Sequence, residues 1–115
     1  MWVAVVISPK ELRTYRKENG SFPFRDWLTA LKDIKGQQII LTRIDRLALG
    51  NPGACRSLGE GVWELKINFG PGYRVYFGYH DESIVILLSG GDKGSQNKDI
   101  ALAKDYWTDY WRRIS

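Results

Sequence analysis

The segment Trp63-Glu64-Leu65-Lys66-Ile67-Asn68-Phe69-Gly70-Pro71-Gly72-Tyr73-Arg74-Val75-Tyr76-Phe77 constrains the fold most. Its strict alternation on either side of a Gly-Pro-Gly turn predicts an antiparallel hairpin. Trp63, Leu65, Ile67, Phe69, Tyr73, Val75 and Phe77 fall on one face, and Glu64, Lys66, Asn68, Arg74 and Tyr76 on the other. The first face builds a core. The second gathers a carboxylate, an ammonium, a guanidinium and a phenol on what is expected to be an open sheet surface. If Gly-Pro-Gly is a short closing loop, Asn68 lies near Arg74 and Lys66 near Tyr76, at cross-strand spacing. A slip of one residue would scatter them.

A chain of 115 residues with 43% apolar and 26% charged residues predicts one folded domain spanning 1–115. The formal charge of +4 is concentrated before His80, which makes a polyanionic partner plausible, a solubilising charge being the plain alternative. Cys55 and His80 are the only residues of their kinds, so an intrachain disulfide, a Cys/His zinc site and a two-histidine ribonuclease are excluded. A cytoplasmic protein without metal or cofactor is expected. Cys55 reads as incidental and His80 as a turn residue. The run Trp2 to Ile7 is too short to span a membrane and lacks signal-peptide features. It is expected to be an added strand or docked arm, making 1–9 an apolar extension.

Lys10 to Arg16 predicts a first strand, followed by a Glu18-Asn19-Gly20 turn. A helix capped by Ser21 and ending near Asp33 follows, with Trp27, Leu31 and Ile34 in register. After Gly36 a second helix carries Ile40, Ile44 and Leu47 and stops at Gly50 and Pro52. Residues 51–61 read as a loop, Ser83 to Ser89 as a strand buried on both faces, and Gly90 to Gln96 as a polar loop. A last helix bears Ile100, Ala103, Trp107, Tyr110 and Ile114.

The order β-α-α-β-β-β-α, with Gly61-Val62-Trp63-Glu64-Leu65-Lys66-Ile67, the Gly-Pro-Gly-Tyr-Arg-Val-Tyr-Phe hairpin and Gly90-Gly91-Asp92-Lys93 before a helix, resembles the RelE/ParE toxin superfamily. More narrowly it is similar to HigB-like, phage-derived addiction module killer proteins. The resemblance covers about Lys10 to Trp111. It implies an α+β, two-layer RelE-like fold, an antiparallel-rich sheet packed on an N-terminal helical hairpin with a C-terminal helix.

The resemblance also implies the toxin of a type II toxin-antitoxin module, partnered by a helix-turn-helix antitoxin. Such a toxin enters the 70S ribosome A site and cleaves mRNA without metal, by attack of the 2′-hydroxyl on the adjacent phosphate. Arg74 matches the superfamily arginine, and its planar fork suits a phosphorane. Lys66 would hold the phosphate or move a proton, and Glu64 falls where some relatives carry a general base. Lys93 takes a phosphate-binding position before the last helix. Asn68, Arg43 and Arg46 are further candidates for substrate contact, with a solvated helix face as the alternative for the two arginines. The relatives' terminal Tyr or His is missing from Gln96-Asn97-Lys98-Asp99, which leaves Tyr76 to stack on a base or Asp99 to carry a proton. Two other functions fit the chain: a ParE-like inhibitor of DNA gyrase, and a non-catalytic relic that only binds its antitoxin.

Overall fold

A computed structural model describes residues 9–114. The extension expected at 1–9 therefore lies, Pro9 apart, outside the described residues. The chain runs β1 (Glu11–Thr14), α1 (Pro23–Ala30), α2 (Ile34–Ala48), β2 (Cys55–Ser57), β3 (Trp63–Ile67), β4 (Tyr73–Asp81), β5 (Ile84–Asp92), a 3-10 turn (Lys93–Ser95) and α3 (Gln96–Ile114). This is a mixed α+β fold. Its five strands lie in the order β1-β5-β4-β3-β2, with β1 parallel to β5 and the other neighbours antiparallel.

Helices cover both faces of the sheet, which corrects the expected two layers. Phe24, Ile40, Ile44 and Leu47 of α1 and α2 pack on Leu65, Ile67, Val75, Phe77, Val85 and Leu87. On the opposite face Ala103 and Trp107 of α3 pack on Tyr15, Val62, Tyr76, Ile86 and Leu88. Alternate residues of β4 and β5 thus feed two cores, the physical reason that Ile84 to Leu88 reads as continuously apolar. The helix α1 rests chiefly on β5 and α2 touches β3, so both helices meet the sheet rather than forming a self-packed hairpin.

The expected loop at 51–61 holds an added strand, β2, so the order is β-α-α-β-β-β-β-α rather than β-α-α-β-β-β-α, and several boundaries also differ from the sequence expectation, each for a local reason. Phe22, not Ser21, precedes α1, while Ser21 donates through both backbone and hydroxyl to Asn19. The helix stops at Ala30 because Asp33 caps α2, accepting from the Gly36 amide at 2.9 Å. Gly36 thereby lies inside α2, where a Cβ would come within 2.8 Å of the Tyr73 ring. Gly90 and Gly91 belong to β5 rather than to a loop. The pairs Tyr76↔Ser89 and Phe77↔Leu87 leave Leu88 as the extra residue of a bulge, which rephases the strand beyond it.

Candidate functional site

The hairpin faces are as the alternation predicts, but its register is moved by two residues. A five-residue connection, Asn68 to Gly72, joins β3 to β4, with Gly70 at φ 56° and Gly72 at φ 83°. Its turn is held by the Gly72 amide donating to the Phe69 carbonyl at 3.0 Å. The pairs are consequently Lys66↔Arg74 and Glu64↔Tyr76, not Asn68 with Arg74 and Lys66 with Tyr76. A shift of two preserves side-chain direction, so the same residues share the face.

That face is not an open surface, because the start of α3 lies over it. Glu64 is 1% exposed, Arg74 5% and Tyr76 0%, whereas Lys66 and Lys93 are exposed. Between them lies a cleft of about 480 Å³ lined by Arg56, Glu64, Lys66, Arg74, Lys93 and Gln96, with Ala54 and Cys55 at its edge. Arg74 is aimed by its own turn: one terminal nitrogen donates to the carbonyls of Gly72 at 2.9 Å and Tyr73 at 3.1 Å. Its buried Nε meets no partner among the described residues.

Both Glu64 oxygens are occupied. Oε1 accepts from Arg56 Nε at 2.8 Å and Oε2 from Gln96 Nε2 at 2.8 Å. The carboxylate therefore ties the edge strand β2 to the first residue of α3, across the cleft floor. A buried anion held in this way is compensated charge.

Several expected contacts are corrected. Tyr76 cannot stack on a base, since its ring is sealed in the α3 core. Burial, followed by the charges on Glu64 and Asp99, pushes its phenol well above the ordinary tyrosine range. Arg43 clamps the backbone: it donates to the carbonyls of Lys66 at 2.8 Å, Pro52 at 3.0 Å and Ala54 at 3.2 Å. Arg46 is exposed on α2, away from the cleft lining. Asp99 is folded inward, accepting from the Ser95 hydroxyl, and a Cβ at Gly91 would come within 1.9 Å of its oxygen. Asn68 lies exposed in the turn and lines a groove shared with Lys66, Arg74 and Lys93. His80 lies in β4 rather than a turn, stacked on Trp111 and 2.7 Å from the Tyr110 hydroxyl.

Two cleft residues, Arg56 and Gln96, are absent from the sequence expectation. The signal for Arg56 lies in the Gly59-Glu60-Gly61 turn, where all three residues have positive φ and the Leu58 amide donates to the Val62 carbonyl at 2.8 Å. A second hairpin there places Arg56 opposite Glu64. Gln96 carries no comparable signal, because its role depends on where α3 docks.

A family model described as "Phage derived protein Gp49-like (DUF891)" matches residues 26–107. A protein of Haemophilus influenzae, described only as an uncharacterized protein, is 47% identical over 81 residues, which is 70% of this chain and 82% of that protein. The matched span contains both hairpins, the whole cleft and α3 through Trp107.

Proposed function

This chain belongs to the Gp49-like phage-derived protein family, a RelE-like family of type II toxin-antitoxin toxins, and on that premise we propose that it is a toxin that cleaves mRNA on the ribosome. The observation that carries the reading is the direct pairing of Lys66 with Arg74, with Lys93 lining the same cleft. Three cations converging on one cleft suit a phosphodiester and its more highly charged transition state.

In the proposed reaction the 2′-hydroxyl loses its proton and its oxygen bonds to phosphorus. The bond to the 5′-oxygen then breaks, and that oxygen takes up a proton, leaving a 2′,3′-cyclic phosphate. Arg74, preset by its two carbonyl contacts, binds the equatorial oxygens. Lys93 neutralises the phosphate, and Lys66 is the open proton carrier nearest Arg74 in the register. Both Glu64 oxygens are engaged by Arg56 and Gln96, which leaves the proton to Lys66 rather than to Glu64. The partner that restrains the toxin is a cognate antitoxin, and Asn68 extends the contact along the RNA from the adjoining groove.

One observation favours a second reading. The cleft's carboxylate is fully engaged and Tyr76 is sealed from solvent, features that suit a binding surface such as a ParE-like gyrase inhibitor. Induction in a bacterial host, with primer-extension mapping of mRNA and a supercoiling assay on gyrase, separates the two. New mRNA 5′ ends that vanish in folded Lys66→Ala and Arg74→Lys variants are expected. Intact mRNA with blocked supercoiling would overturn the nuclease reading, and unchanged growth at full expression would leave only the antitoxin-binding relic.

A further inference from the structure

We infer that Arg56 is a fourth RNA-gripping cation of the cleft and that Glu64 is the positioning residue that aims it. The inference rests on the nuclease reading above and assigns Glu64 a role other than general base. Arg56 sits on the short edge strand β2, directly opposite Glu64 of β3. Its Nε is spent on the Glu64 carboxylate at 2.8 Å, yet its side chain stays 60% exposed while that of Glu64 is 2% exposed. The two terminal nitrogens have no partner among the described residues, so the fork's donating edge is left to the cleft it lines.

The orientation of the pair follows from its burial. A free arginine on a three-residue edge strand would sample many rotamers, and each phosphate contact would have to restrain it anew. Anchoring Nε to a carboxylate that is itself fixed by Gln96 preorganises the guanidinium with its planar face defined. The anchor has a second electrostatic effect: without Arg56, the Glu64 charge would sit unscreened at the cleft floor and repel RNA phosphate. Arg56 therefore both cancels the cleft's one anion and offers donors to the substrate, which Lys66 and Lys93, as flexible ammonium groups, do not do with fixed geometry.

The test is single-turnover cleavage of an mRNA bound to programmed ribosomes, with toxin concentration varied to separate half-saturation from maximal rate. Arg56→Gln keeps a donor for Glu64 while removing the charge, which guards the fold. It is expected to raise the half-saturating concentration about tenfold, the scale of one charge-assisted hydrogen bond, with the maximal rate little changed. Arg56→Lys is expected to recover part of the loss. Glu64→Gln alone should weaken half-saturation in the same direction, and adding it to Arg56→Gln should cost nothing more, because its effect passes through Arg56.

Arg56→Gln with wild-type half-saturation overturns the inference. So does a fall in maximal rate when Glu64→Gln is added to Arg56→Gln, since Glu64 would then handle a proton itself. Wild-type protein that cuts no mRNA in this assay sinks the nuclease reading and this inference together. Cutting that is lost in Arg74→Lys but unchanged in Arg56→Gln sinks only the inference.

Discussion

The Tyr73 hydroxyl donates to Asp33 Oδ2 at 2.8 Å, joining the first residue of β4 to the cap of α2 across 40 positions of sequence. The bond fixes where the Arg74 turn sits on the helical layer, and Tyr73 is 4% exposed. Tyr73→Phe removes the bond while Asp33 keeps its Gly36 partner. A loss of about 1 kcal/mol is expected from urea unfolding, with an unchanged denaturant slope.

The same carboxylate gives stability a defined acid limb. The Gly36 amide, then the Tyr73 hydroxyl, hold Asp33 below the usual carboxylate range. The folded state thus binds fewer protons than the unfolded one, and stability rises with pH. The contribution is complete above the free carboxyl value of about 4 and is lost as the pH falls through the lower folded value. Asp33→Asn retains a capping oxygen but does not titrate, so a shallower decline of the unfolding midpoint below about pH 4 is expected. An unaltered acid limb would count against this assignment.

Glycine is required where strands pass beneath tryptophans. A Cβ at Gly78 would stand 2.6 Å from the Trp107 ring, and one at Gly90 would stand 2.1 Å from the Trp27 ring on the opposite face. Gly78→Ala and Gly90→Ala should each cost about 1 to 3 kcal/mol by overpacking. Thermal unfolding monitored by tryptophan fluorescence reads both.

Arg43 and Arg46 should separate cleanly. Arg43 ties α2 to the carbonyls of Pro52, Ala54 and Lys66, and burial lowers its pKa. Arg43→Ala leaves those acceptors without their shared donor, with an expected loss of about 1 to 3 kcal/mol and faster amide exchange around β2. Arg46→Ala, at an exposed position, should leave the unfolding midpoint within about 0.5 kcal/mol of wild type.

Tyr76 offers a test between stacking and packing. Its hydroxyl is buried without a hydrogen-bond partner among the described residues, so Tyr76→Phe should be nearly neutral or stabilising in urea unfolding. Tyr76→Ala should unfold the protein, as circular dichroism would record.

The two hairpin faces were legible because a period of two is written directly into residues 63 to 77. Register was not, since it depends on whether Asn68 and Phe69 extend the strand or enter the turn, and the positive φ at Gly70 and Gly72 decides that. The apolar stretch of β5 announced burial on both sides, yet the helix on the second face could be placed only once Trp107 was seen against Gly78. Lys66, Arg74 and Lys93 were legible as a group through the family resemblance. The Arg56–Glu64–Gln96 link was not, because it joins three elements through contacts that local pattern does not encode. Asp33 shows the remaining difficulty: its spacing suits the end of one helix, and only its bond to Gly36 makes it the beginning of the next.

The parallel pairing of β1 with β5 has a bearing on how the protein comes into being. Residues 11–14 must wait for residues 84–87 before they can pair and cover the outer edge of β5, a long loop to close. Lys93 and Gln96 emerge later still. A nascent chain therefore carries no finished cleft until Gln96 has been added, long after the hairpin that bears Lys66 and Arg74.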